Sequence, residues 1–264
     1  MKKLSIVIPS HDDIYLHKTI DSIIENAAGN IEIIPVLDGY EPKTLFRDDP
    51  RIKPVFLTDN VGMRNAINAG VKASTGDYIM RTDEHCLFGD RFDIIILDTI
   101  QDNWIVTPRR YSLDPVMWEV MIDLPPVDYE KLKITNSSKG KKFAGVPWNR
   151  KNDVVYDIDE TMSMQGSVWI MKKSWWENVI GELQTEGYGP LLQDSHEMVF
   201  KTWKAGGKLV VNKLTWFAHK EVHFPRTHQN GTKENPAEPK KSFAYAIKEW
   251  GTYYKEKVVP AWNL

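Results

Sequence analysis

The apolar positions near the start of the chain spell a strand, a helix and a second strand. Leu4-Ser5-Ile6-Val7-Ile8 is rich in branched side chains and is closed by Pro9-Ser10, the pattern of a strand buried in a parallel sheet. From Tyr15 to Ala28 the positions Leu16, Ile20, Ile23 and Ile24 share one helical face, which Gly29 ends. Ile31 to Leu37 is again a strand and delivers Asp38-Gly39 at its carboxyl end. Ligands of such a βαβ unit gather beyond the carboxyl ends of the strands, so the Ser10-His11-Asp12-Asp13 turn and Asp38 are expected at one mouth. Asp38 before a glycine is also ordinary turn chemistry.

The alternation continues with a short strand over Arg51–Leu57, a helix over Gly62–Ala73 whose Asn60-Val61-Gly62 entry can approach a phosphate, and a strand over Tyr78–Thr82. A helix is expected over Phe92–Ile100 and a strand over Trp104–Thr107. From Ser112 to Asp159 periodicity fails and the prolines predict long loops or an insertion, a common seat of specificity. Strand character returns over Met164–Met171, followed by helices over Lys173–Ile180 and Asp194–Lys204, the latter stopped by Gly206-Gly207. Leu209–Val211 is a strand, and Trp216-Phe217-Ala218 is another apolar approach, this time to His219. Pro225–Lys241 predicts a mobile loop, and Ser242–Val259 a closing helix with Phe243, Ile247, Trp250 and Tyr254 on one face. The expected class is α/β, a mostly parallel central sheet flanked by helices, with residues 1–264 forming one domain.

Composition narrows the partners more than the fold. A formal net charge of -2 and a pI near 6.4 exclude a globally basic nucleic-acid binder but leave local patches open. The lone cysteine, Cys86, has no internal partner and points to a reducing compartment. No run reaches the roughly 18 apolar residues that span a bilayer, and no signal peptide is visible, so a soluble, cytoplasmic protein without membrane contact is expected. Ten Trp and ten Tyr suit either a sugar-binding cleft or an aromatic core.

The chemistry concentrates at Thr82-Asp83-Glu84-His85-Cys86. Strand side chains repeat with period two, so Asp83 and His85 are expected to aim at one spot. A carboxylate with an imidazole favours a borderline ion such as manganese or zinc over calcium or magnesium. A strand-end turn carries the same pair without any metal. Lys139-Gly140-Lys141-Lys142 reads either as a solvated face or as a phosphate site.

Several stretches together resemble the GT-A glycosyltransferases of the family 2 type, most closely the catalytic domain of the polypeptide N-acetylgalactosaminyltransferases. Ser10-His11-Asp12-Asp13 and Leu16-His17-Lys18-Thr19 stand where that family has Phe-His-Asn-Glu and Leu-Leu-Arg-Thr. Leu37-Asp38-Gly39-Tyr40 keeps the second Asp of Asp-Asp-Ala-Ser, and Gly70 to Gly76 matches the family's approach to its metal strand. Asp83-Glu84-His85-Cys86 matches the metal motif Asp-Ser-His-Cys at three of four positions. Met164-Gln165-Gly166-Ser167 is similar to Met-Ala-Gly-Gly, and Gln193 to Gly207 is similar to the family's helix that ends in Gly-Gly. His219 follows Gly207 by twelve residues, the family's spacing for its third metal ligand. Trp250, Tyr254 and Lys255 match the closing pattern. The family's Arg-x-Arg is absent, with Arg64 and Asn65 nearby, and Asp194-Ser195 replaces Glu-Asn.

The resemblance implies a metal-dependent transferase that moves a sugar from a UDP-sugar donor to a hydroxyl of an intracellular acceptor. Asp83, His85 and His219 would hold Mn2+, or Mg2+. Residues 1–110 would form the nucleotide-binding half and 111–264 the acceptor-side half. Donor contacts are expected from Pro9, Ser10, His11, Asp13, Asp38, Asn60, Gly62, Arg64, Asn68, Thr82, Asp83, Glu84, Gly166 and His223. Asp194, Glu197 and Arg226 are the expected catalytic residues, and His223, Arg226 and His228 would close over the diphosphate. The closest family retains anomeric configuration, whereas inverting relatives place an Asp base near Asp194. A nucleotidyltransferase lacks support because no Gly-rich signature with Lys or Arg follows the first strand; a non-catalytic nucleotide-sugar-binding protein would not need three metal ligands. Acceptor candidates are a glycan, a protein hydroxyl, a small metabolite or a hydroxylated base in modified DNA, the last served by Arg109, Arg110, Lys139, Lys141, Lys142, Lys240 and Lys241.

Overall fold

A computed structural model describes residues 2–11, 14–151, 155–221 and 239–264. The amino-terminal elements are β1 (Lys3–Ser10), α1 (Leu16–Asn26), β2 (Asn30–Asp38), β3 (Val55–Leu57), α2 (Met63–Ala73), β4 (Tyr78–Thr82), β5 (Cys86–Phe88) and α3 (Phe92–Thr99). They are followed by β6 (Trp104–Asp114), β7 (Glu119–Val120), β8 (Glu130–Ser137), β9 (Gly140–Pro147), β10 (Ile158–Glu160), β11 (Val168–Lys172), α4 (Lys173–Trp175), α5 (Asp194–Lys204), β12 (Lys208–His219) and α6 (Pro239–Tyr253).

The main sheet runs β10-β12-β6-β11-β4-β1-β2-β3. β1 pairs in parallel with both β2 and β4, β2 with β3, and β6 with β12, whereas β11 lies antiparallel between β4 and β6. The carboxyl ends of β1, β2, β3, β4, β6 and β12 therefore share one edge, and the start of β11 joins them there. The chain winds outward from β1 to β3 and then returns through α2 to β4 on the other side of β1. That reversal is a topological switch point, where open α/β sheets bind ligands.

Successive β1 side chains feed two layers, because a strand alternates its faces. Leu4, Ile6 and Ile8 pack with Leu16, Ile20 and Ile23 of α1 and with Phe92 and Ile96 of α3. Val7 packs on the other face with Ala66, Ile67 and Val71 of α2 and with Met198 and Val199 of α5. Each fully buried Leu or Ile contributes roughly 1.5–3 kcal/mol relative to exposure. A third cluster joins Leu132 and Phe143 of the β8–β9 hairpin to Phe200 of α5 and to Ala246 and Trp250 of α6. There Phe200 stacks on Trp250 at 5.2 Å, and the indole donates to the Tyr188 hydroxyl at 2.7 Å. Many of the aromatic residues that composition left open thus belong to a core.

The structure departs from the expected elements in several places. The stretch Ser112–Asp159 is not loop throughout: β6 runs on to Asp114, and Glu130–Pro147 forms a regular antiparallel hairpin. β12 is one strand, with a register shift between Asn212 and Trp216 that splits its apolar pattern in two. β11 begins at Val168 rather than at Met164, because Gly166 takes φ +92° and turns the chain into the strand. The Lys173–Ile180 helix is one short turn followed by a π-turn over Trp176–Ile180. Of the expected mobile loop Pro225–Lys241, residues 225–238 lie outside the described residues, and the last three open α6. No helix among the described residues is long and apolar enough to cross a membrane.

Candidate functional site

β4 stops at Thr82, and a bend at Glu84-His85 leads into β5. The bend, rather than strand alternation, brings Asp83 and His85 together. β5 pairs antiparallel with the end of β12, opposing His219 to Cys86, and the Lys220 amide donates to the His85 carbonyl at 3.2 Å. His219 is thereby delivered beside the bend. His219 Nε2 lies 3.1 Å from Asp83 Oδ2, His85 Nε2 lies 3.9 Å from the same oxygen, and one ligand atom from each residue falls within 4.8 Å of the others.

The electrostatics prepare this cluster for a cation. Burial alone would raise the Asp83 carboxyl, but the Arg81 guanidinium, 2.5 Å away, and the two imidazoles hold it well below the usual carboxylate range. Burial lowers His219 against the pull of Asp83, which keeps the ring neutral and able to ligate. An ionised carboxylate with two imidazoles suits manganese or another borderline divalent ion, so the donor set fits the implied metal. Cys86 is fully buried and its thiol is pushed up by burial, which leaves it inert as a ligand.

A cleft of about 290 Å3 lies at the switch point beside this cluster. Its near side consists of Pro9, Ser10, His11, Asp38, Asn60 and Gly62, its floor of Met63 and Ala66, and its far wall of Leu191 to His196. Arg81, Asp83, Glu84 and Gly166 stand between the two. His11 Nδ1 contacts the Asp38 carbonyl at 2.7 Å, and the Asn60 amide donates to the same ring, which holds the end of β1 against the β3–α2 connection. Both Asp38 oxygens are occupied, accepting from the Val61 amide at 2.7 Å and the Gly62 amide at 2.8 Å. Burial raises the Asp38 carboxyl, and those amides oppose the rise. Asp38 therefore shapes the near wall of the cleft, and only its remaining lone pairs are left for a ligand.

Asp194 opens α5 on the far wall of the cleft, where an acidic residue is favoured by the helix dipole. Burial raises its carboxyl, against Arg64 and Arg81. Glu197, one turn on, does not reach the cleft. It is 1% exposed and is clamped between Arg64 at 2.6 Å and Lys201 at 2.7 Å. Arg64 is fully buried as well, donating to the Leu192 and Gln184 carbonyls and lying over the Tyr188 ring at 4.2 Å. The expected catalytic role of Glu197 and donor role of Arg64 thus give way to a structural ion pair that anchors the 184–192 wall to α2 and α5. Asn68 spends both ends of its amide on the Leu183 backbone, and Thr82 is buried with its hydroxyl on the Asp83 carbonyl, so neither lines the cleft. Asp13, His223, Arg226 and His228 lie outside the described residues.

Sequence reading did not assign Arg81, Gln165, Gln193 and His196 to the site, yet all four line the cleft. An arginine two places before Asp83 in an otherwise apolar strand was a usable signal; the others became visible only when β11 and α5 were placed.

Comparison with known proteins decides the family. Residues 5–162 match the family described as glycosyl transferase family 2. The chain belongs to that family. It is 25% identical over 209 residues to glycosyltransferase GlyA of Streptococcus pneumoniae, covering 70% of this chain and 27% of that protein. It is 29% identical over 93 residues to an N-acetylglucosaminyltransferase of Bradyrhizobium sp., covering 31% of this chain and 61% of that protein. The chain thus spans only part of the length of either relative. Its fold matches the crystal structure of GalNAc-T7 with UDP, GalNAc and Mn2+ at a TM-score of 0.74 and 17% identity, over 97% of this chain and 50% of that one. The expected α/β class, in its GT-A form, is what the structure shows.

Among the cations named for a DNA acceptor, Arg109 is paired with Asp128 at 2.7 Å and Arg110 with Glu130 at 2.8 Å. Lys139, Lys141 and Lys240 line a separate groove with Lys248, between the β8–β9 hairpin and α6.

Proposed function

We propose that this chain transfers a sugar from a UDP-sugar to an acceptor hydroxyl, with Asp83, His85 and His219 holding a divalent ion, Mn2+ or alternatively Mg2+. The convergence of those three side chains at the edge of a cleft that occupies the switch point carries the reading. Such an ion supplies Lewis-acid neutralisation of the charge that builds on the departing diphosphate. Both curated relatives are glycosyltransferases by name, and the structural neighbour holds UDP, GalNAc and Mn2+.

The chain's own residues divide the remaining work. Arg81 keeps Asp83 ionised, which leaves its Oδ2 able to ligate a cation. Pro9, Ser10, His11, Asn60 and Gly62 form the shelf for the nucleoside over Met63 and Ala66, with Asp38 bracing it. Glu84 accepts from the His11 amide at 3.4 Å, tying this shelf to the metal bend. Asp194, on the opposite wall, and Gly166, between the two walls, position the sugar. Residues 1–110 serve as the nucleotide half and 111–264 as the acceptor-side half. The histidine-rich metal set goes with the retaining relatives that the sequence resembles, so we assign retention of anomeric configuration. The protein mixed with Mn2+ and a panel of UDP-sugars should release UDP from at least one of them, with a product of unchanged anomeric configuration by NMR. Absence of UDP release from every donor contradicts the assignment of transfer, and an inverted product contradicts retention.

A further inference from the structure

Arg81 is the only lysine or arginine among the described residues that line the cleft, which also carries the carboxyl groups of Asp38, Asp83, Glu84 and Asp194. Its side chain is 3% exposed. A guanidinium has five N–H donors and no acceptor. Nη1 donates to the Gly166 carbonyl, and Nη2 donates to Asp83 Oδ1 at 2.5 Å and to Met63 Sδ at 3.2 Å. Nε is buried and has no hydrogen-bond partner among the described residues. A charged donor kept from water without a partner is costly, so it marks a place where the acceptor comes from outside the chain.

The surroundings of Arg81 say which acceptor. Asp83 offers Oδ1 to the guanidinium, whereas its Oδ2 lies 3.1 Å from His219 Nε2 and 3.9 Å from His85 Nε2. The guanidinium and the three-ligand cluster thus share one carboxylate, each on its own oxygen. An anion with several oxygens along its length, such as a diphosphate, can meet both at once; a nucleoside or sugar hydroxyl brings no charge to match the guanidinium. Carboxyl groups outnumber cations on the walls, so a diphosphate that enters needs every positive charge available there. The contacts to Met63 on the floor and to Gly166 hold the guanidinium in place before any ligand arrives.

We propose that Arg81 is a direct contact for the diphosphate of the donor, giving its unpartnered Nε–H to a phosphate oxygen while Nη2 stays on Asp83. This rests on the transferase reading above and adds a substrate-touching residue to it. Arg81 then has two separable tasks. Holding Asp83 ionised acts on UDP only by way of the ion that Asp83 binds. The Nε–H contact acts on UDP with the ion already in place, and it does nothing for uridine, which has no phosphate.

The test measures UDP and uridine binding by calorimetry at saturating Mn2+, and Mn2+ binding alone by electron paramagnetic resonance, for wild type, Arg81→Met and Arg81→Lys. Arg81→Met should lower UDP affinity about tenfold or more, the loss of one charged hydrogen bond, while uridine affinity stays within about twofold and Mn2+ affinity within about threefold. Arg81→Lys keeps a charge opposite Asp83 but loses Nε–H, and should lower UDP affinity at least about threefold with uridine again unchanged; it carries the comparison should Arg81→Met fail to fold by circular dichroism. Unchanged UDP affinity, a uridine loss as large as the UDP loss, or a UDP loss matched by an equal loss of Mn2+ affinity overturns the inference and leaves the transferase reading in place. A wild-type protein that binds no UDP even with Mn2+ sinks both.

Discussion

Asp83 Oδ2 lies 3.1 Å from His219 Nε2, although 136 residues of chain separate the two. Two pairings produce the contact. β4 leads through the bend to β5, and β5 pairs with the end of β12, so the last residue of the longest strand is registered against the residue that follows His85. The site is thus a consequence of sheet order, with His219 arriving on the far side of an antiparallel insertion.

Glu197 supplies a prediction that separates structure from catalysis. Glu197→Ala leaves the fully buried Arg64 without its carboxylate, which should destabilise the fold by about 3–5 kcal/mol in urea denaturation. The double variant Arg64→Met, Glu197→Met should recover much of that loss. A Glu197→Gln protein that unfolds like wild type yet has lost its transfer rate would reinstate Glu197 as a catalytic residue.

Glu32 predicts acid sensitivity at the amino-terminal edge of the sheet. Burial raises its carboxyl, but Lys3, Ser5 and Thr75 overcome this and bring it to about 2, from 4.5. A folded-state value below the unfolded one gives stability that is full above pH 4.5 and is lost as pH falls toward 2. The urea midpoint should therefore drop over that window, and the part of the drop owed to this group should vanish in Glu32→Gln. An equal drop in the variant assigns the acid sensitivity elsewhere.

Gly62 lines the cleft, on the shelf proposed for the nucleoside, at φ +84°, where an added Cβ would lie 2.3 Å from Pro190 Cβ. Gly62→Ala combines a strained backbone with a clash against the opposing wall, and should weaken UDP binding about tenfold or more in calorimetry while acceptor specificity is kept. Wild-type affinity in this variant would place the nucleotide elsewhere.

Asp194 distinguishes the two stereochemical courses. As a positioning carboxyl, Asp194→Asn should lower kcat/KM by about 10- to 100-fold and leave a retained product. Near-total loss rescued by small external carboxylates, together with an inverted wild-type product, would make it the base.

Much of the amino-terminal half of the fold was legible in the sequence because local signals and global topology agree there. The β1-α1-β2 unit shows continuous branched runs and a clean helical face, and the Asp83-x-His85 spacing survived even though the chain bends where a straight strand was expected. His219 was singled out by a twelve-residue spacing from Gly207, which added to the apolar approach of Trp216-Phe217-Ala218. The residues that the structure does not bring to the cleft, Arg64, Glu197, Asn68 and Thr82, are polar groups whose partners are backbone groups or buried charges, and no local pattern distinguishes such groups from ligand contacts. The β8–β9 hairpin was hidden by its lysines, although Leu132 and Ile134 alternate with Lys131 and Lys133 as a half-buried strand requires. The register shift in β12 concealed a continuous strand for the same reason, since a bulge interrupts the period that sequence reading relies on.

The most direct measurement titrates Mn2+ into the protein in the presence of UDP and follows free Mn2+ by electron paramagnetic resonance, for wild type, His219→Ala and the near-isosteric Asp83→Asn. With Asp83, His85 and His219 as the ligands, wild type takes up one ion per chain, and both variants, folded by circular dichroism, lose at least about tenfold to a hundredfold in affinity. Wild-type affinity in His219→Ala and Asp83→Asn would contradict the metal centre on which the proposed transfer depends.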